Sequence, residues 1–520
     1  MADLLPGMMV GICLPPATPV LLPRRIHALK GTETIMSTYL GLDLGTSSLK
    51  ALLIGDDQAV IGSASVPLTV ERPRFGWSEQ NPQSWIVACE AAMQELRAKH
   101  AREFAEIAGI GLSGHMHGAT VLGEDGAPLR PCILWNDTRS HEEAKALDDA
   151  EARAITGNIV FPGFTAPKLM WMRRHEPVLF NRMAFVLLPK DYLRLWLTGE
   201  RVAEMSDAAG TAWLDTGLRD WSDRMLERTG MTRANMSRLV EGTEAAGEVR
   251  PILADKFGLK PGVIVAGGGG DNAASACGVG VAEPGTGFLS LGTSGVLFTA
   301  TAGYDPVPET ALHTFCHAIP GLWHQMGVTL SAAGCMDWLS KLLQEEPGDL
   351  TGALGEAIAE PGRLMFLPYL SGERTPHNDA DIRGVLAGIE SDTSREAMTR
   401  AVLEGVAYSM RDCLDAAGDK PKPQRLIAVG AGSRSAYWLQ LMATVLETEI
   451  ALPAAGDFGA AFGAARLGIT AATGADPKSV MTQPPVARSF EPVADKIDAY
   501  REGHRRYKAL YPAVKAAMAG

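Results

Sequence analysis

Three widespread catalytic signatures are missing from this sequence: it has no Gly-Lys-Ser/Thr, no His-Glu-x-x-His and no Gly-x-Ser-x-Gly. A P-loop nucleotide site, a zinc peptidase of that type and an α/β-hydrolase nucleophile are thereby excluded. Cysteine is scarce, seven in 520 residues, with no Cys-x-x-Cys pair. An odd, scattered set supports neither a disulfide framework nor a zinc site, and reduced thiols in a cytoplasmic enzyme are the simplest expectation. Basic charge is also short: 48 Lys and Arg against 60 Asp and Glu give a formal net charge of −12, and no Lys/Arg cluster stands out. A nucleic-acid partner needs a basic face to neutralise phosphates, so none is expected, whereas a nucleotide needs only a local site. No long unbroken apolar run is present either. Leu4 to Leu22 is interrupted by Pro6, Pro15, Pro16 and Pro19, and its positive charges, Arg24 and Arg25, follow the run instead of preceding it. It suits neither a membrane helix nor a signal peptide. No membrane partner is expected. Residues 1–35 read as a disordered tail or an over-extended start, with Met36 just ahead of the first strand.

The remaining chain, with 46% hydrophobic and 21% charged residues overall, is globular in composition and long enough for two large domains. Tyr39–Leu44, Leu49–Ile54 and Ala59–Val66 are short apolar runs separated by Gly45-Thr46-Ser47 and Asp56-Asp57, which predicts an antiparallel meander. A helical pattern over Pro82–Leu96 and a strand at Ile107–Leu112 place this meander in an α/β domain. The sequence then echoes itself. Leu42-Asp43-Leu44-Gly45-Thr46-Ser47-Ser48-Leu49 returns as Leu289-Ser290-Leu291-Gly292-Thr293-Ser294-Gly295-Val296, five of the eight residues matching in order. The copies lie about half a chain apart, as expected if each opens its own domain. Two hairpins with Gly-Thr-Ser turns would form a two-sided cradle whose backbone N–H groups suit phosphate oxygens, making Thr46, Ser47, Gly292 and Thr293 candidate phosphate contacts.

Two more glycine turns follow predicted strands. Val263–Ala266 leads into Gly267-Gly268-Gly269-Gly270-Asp271-Asn272 and an Ala-rich helix; Leu426–Val429 leads into Gly430-Ala431-Gly432-Ser433 and a helix from Ser435 to about Glu447. Strand, glycine turn and helix can serve phosphate binding or simply close helix packing. Asp271 at such a turn is either a helix N-cap or a functional carboxylate. Asp43 could satisfy the hairpin turn, but its counterpart in the echo is Ser290, so the turn forms without a carboxylate, an asymmetry that favours a special task for Asp43.

The motifs between these turns resemble a family. Gly163-Phe164-Thr165-Ala166-Pro167-Lys168-Leu169-Met170-Trp171-Met172-Arg173-Arg174-His175 fits the first signature of the carbohydrate kinases that include glycerol kinase and xylulokinase. The resemblance runs from about Tyr39 to about Gly468. Within that family the xylulokinases are most similar at Trp77–Pro82, Met116–Thr120, Ile133–Asp137, Leu188–Tyr192, Met205–Thr211 and Tyr369–His377. Three positions depart from the family's habit: His115 stands where Gln is usual, Ala431 interrupts a turn that is commonly Gly-Gly-Gly, and Ala397 replaces a polar residue.

The resemblance implies an α/β fold of two actin-like (ribonuclease H-like) domains with ATP and sugar meeting in the cleft between them. Residues 36–282 would then be the N-terminal kinase domain with the sugar and Mg²⁺/phosphate site, 283–480 the C-terminal domain with the nucleotide site, and 481–520 a helical segment. It implies that Asp271 is the base that accepts the proton of the sugar's terminal hydroxyl, and that Asp43 holds Mg²⁺, through water, at the β- and γ-phosphates. Met116, His117 and Asn272 would contact the sugar; Gly430, Gly432 and Ser433 lie where the family places nucleotide. Trp77 and Trp135 stay unassigned, and Glu373, Arg374 and His377 are either a catalytic cluster or a charged brace between the domains. The implied reaction is ATP-dependent phosphorylation of D-xylulose to D-xylulose 5-phosphate in the cytoplasm, with a homodimer as the assembly to test. Kinases for L-ribulose, D-arabinitol or glycerol, and an actin- or chaperone-like ATPase, are the alternatives.

Overall fold

Alternation along the strands gives the first of two large sheets its two different faces. The computed structural model of the chain describes residues 37–454, 456 and 458–518, so the tail expected over 1–35 lies outside the described residues. The first sheet is built from β1 (Thr38–Leu44), β2 (Ser48–Gly55), β3 (Val60–Pro67), β4 (Ile107–Gly114), β5 (Ala245–Glu248), β6 (Ile264–Ala266) and β7 (Gly269–Gly270), in the order β5-β6-β4-β1-β2-β3 with β7 also on β4. β1 runs antiparallel to β2 and parallel to β4, and β6 and β7 run parallel to β4. The helices used below are α1 (Pro82–Lys99), α2 (Pro189–Thr198), α3 (Asp271–Gly278), α4 (Ala333–Leu343), α5 (Arg395–Asp415), α6 (Ala436–Leu446), α7 (Ala460–Thr473) and α8 (Ile497–Met518). None of the described helices is long and apolar enough to cross a membrane.

Leu40, Leu42 and Leu44 of β1, with Ile110 and Leu112 of β4, pack against Trp85, Cys89 and Met93 of α1. The residues between them face the other way, as a period of two requires. There Gly41 and Gly111 let α7 lie directly on the strands: a Cβ would come within 1.8 Å of the Ala461 carbonyl oxygen at Gly41 and 1.7 Å of the Ala464 oxygen at Gly111. Asp43 is two residues beyond Gly41 and shares its face. The glycines of β1 and β4 therefore report a helix pressed against the sheet, not a flexible backbone.

The second sheet repeats the plan. It contains β8 (Gly287–Leu291), β9 (Gly295–Thr301), β10 (His313–Cys316), β11 (Trp323–Thr329), β12 (Arg425–Val429), β13 (Glu449–Pro453) and β14 (Val486–Phe490), in the order β10-β11-β9-β8-β12-β13-β14. An antiparallel edge strand, two parallel strands and a three-stranded meander follow one another in both sheets; β10 is the addition. The two echoed hairpins differ by one residue in register, since Leu44 pairs with Leu49 whereas Leu291 pairs with Gly295.

Two features depart from the expected layout. The segment 481–520, expected to be helical, supplies the edge strand β14 before α8 begins. Pro484 and Pro485 cannot continue a helix, and the strand that follows exposes Val486 to Ser489 and buries Phe490. The glycine run before Asp271 is also not wholly a turn, because Gly269 and Gly270 pair with Ser113 and Gly114. Finally, α7 follows β13 of the second sheet in the chain yet packs on the first sheet and on α3, where a Cβ at Gly463 would lie 1.7 Å from the Ala274 oxygen. Small residues along α7 thus knit the two lobes together.

Candidate active site

The carboxyl ends of β1, β4 and β7 lie side by side. Leu44, Gly114 and Gly270 share one row across the three strands, and Asp43, Ser113 and Gly269 share the row before it. Two strand spacings separate β1 from β7 by about 10 Å. Ligands of open α/β sheets bind at such strand ends. Gly270 is the N-cap of α3 and Asp271 is its first helical residue, so the N-cap role considered for Asp271 belongs to Gly270. Asp271 Oδ1 accepts hydrogen bonds from the Asn272 N–H (2.7 Å) and from Asn272 Nδ2 (2.9 Å), and neither bond uses Oδ2. Asn272 therefore spends its amide N–H on Asp271 and keeps its carbonyl oxygen to accept from a hydroxyl.

Burial and, after it, the charge of Asp43 push the Asp271 carboxyl up to about 6, against the opposing Asn272 bonds. The two carboxylates thus sense each other across the strand ends. In the base role that the family resemblance implies, Asp271 must be ionised to accept a proton, and kcat/KM for the acceptor should then fall roughly tenfold per unit as pH drops below about 6. A pH profile from 5 to 8.5 checks this, and a flat response down to pH 5 would rule Asp271 out as the titrating group.

Met116 and His117 form a wall beside this carboxylate. A Cβ on Gly270 would sit 3.0 Å from Met116 Cγ and Sδ, which puts the thioether over the residue preceding Asp271. His117 takes φ +69°, and its Nδ1 lies 2.7 Å from the Gly210 carbonyl oxygen. A carbonyl only accepts, so Nδ1 carries the hydrogen and Nε2 presents a lone pair. Burial lowers the imidazole to about 3, which keeps it neutral. Its ring stacks on Phe164 at 4.8 Å, and its own carbonyl oxygen accepts from buried Lys168 Nζ at 2.7 Å and from Thr165 Oγ1 at 3.2 Å. Lys168 and Gly210 are essential to this geometry, but alone in the sequence nothing marks them as partners of position 117. His115 is different: its N–H donates to the Leu44 oxygen at 2.9 Å, and its buried ring packs against Trp85 of α1.

Beneath the wall lies a fully buried charge cluster. Lys190 Nζ is 2.7 Å from Asp191, 3.3 Å from Glu204 and 3.0 Å from Asp207, and Arg194 bonds Asp191 at 2.8 Å. Burial raises the Asp207 carboxyl above its ordinary value, and the charge of Lys190 opposes that shift. The cluster reaches the segment that leads into Asp271 directly: Arg194 Nη2 donates to the Gly267 oxygen, and the Gly270 N–H donates to Ser206 Oγ at 3.0 Å, itself bonded to Glu204.

The other expected residues form a second group. Gly430 has φ +89°, and a Cβ there would meet the Leu291 carbonyl group at 2.8 Å, so the Gly430–Ser433 turn abuts the Gly292–Ser294 hairpin. The Gly292 and Thr293 oxygens accept from the Ala333 (2.7 Å) and Ala332 (2.8 Å) N–H groups, tying the hairpin to the start of α4. Ser433 Oγ donates to the Gly430 oxygen at 2.7 Å, so its hydroxyl is already used within the turn. Beside these turns opens a cavity of about 720 Å³, lined among others by Met336, Asp337, Thr351, Glu356, Ala431 and Ser435. Its size suits a nucleoside. The wall from the Ala431–Ser435 side belongs to the glycine turn already singled out, whereas Met336, Asp337, Thr351 and Glu356 come from two other segments that carry no motif in the sequence. In the first hairpin Thr46 Oγ1 accepts from the Trp135 indole at 3.0 Å, while Ser47 is exposed. Trp77 instead packs between Trp171 (5.4 Å) and Arg139 (3.6 Å). No hydrogen bond among the described residues joins the Asp271 group to the Gly430 group, so a ligand joining them must span the space between the two lobes.

The profile of the FGGY family of carbohydrate kinases matches twice, its N-terminal domain at residues 38–278 and its C-terminal domain at 287–472. The chain belongs to the FGGY family of carbohydrate kinases. It is an ATP-dependent sugar kinase with a two-domain α/β fold. It is 44% identical over 486 residues to a xylulose kinase from Klebsiella pneumoniae, covering 92% of this chain and 100% of that protein. Among solved structures it resembles a "xyloylose kinase" from Brucella ovis (59% identity, TM-score 0.90, 92% of this chain and 100% of that one). It also resembles a xylulose kinase from Rhodospirillum rubrum (30% identity, TM-score 0.85, 93% and 100%). In this FGGY chain the segment Glu373–His377 divides its tasks. Glu373 is buried and accepts from the Leu330 N–H (2.9 Å), the Arg374 N–H (2.8 Å) and Ser409 Oγ (3.3 Å). His377 stacks on Tyr511 of α8 at 3.6 Å and lies 3.2 Å from the Tyr369 hydroxyl. Both brace the second lobe from within, whereas Arg374 turns toward the first.

Proposed function

We propose that this protein phosphorylates D-xylulose with ATP, giving D-xylulose 5-phosphate and ADP, with Asp271 as the general base. The observation that carries the reading is the open Oδ2 of Asp271, whose carboxyl is raised to about 6 beside the neutral His117–Met116 wall. The xylulose kinases at 44% identity support the choice of sugar. Asp271 Oδ2 takes the proton of the terminal hydroxyl, that oxygen forms a bond to the γ-phosphorus, and the β–γ bridging oxygen leaves with ADP. The loose transition state of phosphoryl transfer asks little of base strength and much of position, and the pairing of Gly269 and Gly270 with β4 supplies position. The Asn272 carbonyl oxygen and His117 Nε2 accept from sugar hydroxyls, so each bond reads a hydroxyl that a substrate must provide.

On this reading residues 36–282 carry the sugar and phosphate groups and residues 283–480 the nucleotide, whose base and ribose occupy the cavity beside Gly430–Ser433. Thr46, Ser47, Gly292 and Thr293 line the phosphate path. Among the described residues no cluster of three or more His, Cys, Asp or Glu could cage a metal ion. Asp43 alone still fits Mg²⁺, which takes one or two carboxylates and fills its octahedron with water and phosphate oxygens. Bound there, Mg²⁺ would neutralise charge on the β- and γ-phosphates.

The test is to incubate the purified protein with ATP, Mg²⁺ and, separately, D-xylulose, L-ribulose, D-arabinitol and glycerol, following ADP release. D-Xylulose should give the highest kcat/KM. Turnover of another sugar without D-xylulose would overturn the substrate and leave the kinase.

A further inference from the structure

Arg374 belongs to the second lobe, yet its side chain lies against the first. The backbone on either side is pinned to β11 and its end. Glu373 accepts from the Leu330 N–H, the Thr375 N–H donates to the Val328 oxygen at 3.1 Å, and the Val328 N–H donates to Thr375 Oγ1 at 3.1 Å. The guanidinium so presented is half-buried and makes no hydrogen bond or close ion pair among the described residues; its carbon lies 5.3 Å from the centre of the Phe161 ring. Phe161 in turn meets Phe164 at 5.6 Å and His313 at 5.2 Å, and Phe164 stacks on His117. The charge of Arg374 is also felt at His117 and His313, whose protonated forms it disfavours after burial has done so.

A continuous wall therefore runs from Asp271 and Gly270 through Met116, His117 and Phe164 to Phe161, with Arg374 at the far end. A cation over an aromatic ring satisfies none of its five N–H donors, which hold a fixed fork that cannot accept. A rigidly mounted, half-buried fork without an acceptor suits an oxygen supplied by a ligand. Resting on the proposed sugar phosphorylation, we propose that Arg374 binds the end of the acceptor sugar remote from the hydroxyl that is phosphorylated, donating to its carbonyl and adjacent hydroxyl oxygens. Because the second lobe carries it, sugar binding is completed only when both lobes close on the substrate, which ties sugar recognition to the exclusion of water.

Steady-state kinetics of Arg374→Met, which keeps an unbranched stem on Phe161, and of Arg374→Lys decide the matter. The expected result for Arg374→Met is a KM for D-xylulose raised at least about tenfold, with KM for ATP within twofold and the melting temperature within about 2 °C. Arg374→Lys should recover part of the loss, since it restores charge but not the fork. An unchanged KM for D-xylulose would overturn the proposal, as would equal loss for sugar and ATP, or a fall in kcat at constant KM. If the wild type fails to turn over D-xylulose, the substrate reading falls and not this one; the same kinetics are then measured with whichever sugar of the panel it phosphorylates.

Discussion

Asp271→Ala is expected to lower sugar-dependent ATP turnover by about 10³-fold or more while nucleotide binding stays within about twofold. A positioned base contributes roughly 10²–10⁴-fold, and no other carboxylate stands where Asp271 Oδ2 does; Asp43 lies two strands away. Asp271→Asn should be equally inactive, because its amide cannot take the proton. Turnover and ADP titration calorimetry on the same preparation separate loss of chemistry from loss of nucleotide. Residual activity within tenfold of wild type would remove Asp271 from the mechanism. Stability gives an independent readout. The Asp271 carboxyl holds its proton to about 6 in the folded chain but to about 4 in an unfolded one. A folded-state shift of that sign favours folding below about pH 4 and loses its contribution as pH rises through about 6. At pH 7.5 the ionised carboxylate opposes folding, so Asp271→Asn is expected to melt above the wild type there and to lose that advantage at low pH. In the role proposed for Asp271, a carboxylate held against burial and a neighbouring charge is a cost of function.

Lys190→Met is expected to destabilise the fold by about 3–5 kcal/mol and to reduce kcat as well. Its ammonium is wholly buried between Asp191, Glu204 and Asp207, and burial of the ion pair contributes little net stability, but removing one partner strands the others. With Lys190 gone, Asp191 keeps Arg194, but Glu204 and Asp207 lose the cation that faces them. The activity loss follows because Arg194 and Ser206 hold the Gly267 oxygen and the Gly270 N–H, one residue before the base. Urea unfolding followed by tryptophan fluorescence, with kcat at saturating substrates, checks both parts. A midpoint matching the wild type would show that the cluster relaxes or admits water, and would sink this account.

Much of this molecule is legible in its amino-acid order. The alternation of Leu40, Leu42 and Leu44 with Tyr39, Gly41 and Asp43 fixes both a strand and its two faces, because side chains on a strand point alternately to either side. The recurrence of Leu-x-Leu-Gly-Thr-Ser marks the duplicated hairpin, and the glycines before Asp271 mark a close strand-to-helix junction. Those features are local, and local pattern is what a sequence states directly. The charge cluster, by contrast, joins Lys190 and Arg194 on α2 to Glu204, Ser206 and Asp207, and no spacing announces that these groups leave water together. The same holds for the cavity by Gly430, whose walls come from α4, the segment near Thr351 and the start of α6.

By itself the sequence determined the two α/β halves and their hairpins, since periodicity and turn chemistry act over a few neighbouring residues, and it offered Asp43 and Asp271 as candidates. Only the tertiary structure decided three further points: Gly270 and not Asp271 caps α3, His117 exposes Nε2 because Gly210 occupies Nδ1, and Glu373 and His377 brace while Arg374 faces the other lobe. Each depends on which distant group fills a hydrogen bond or a contact. That competition is settled by packing, between residues far apart in the chain.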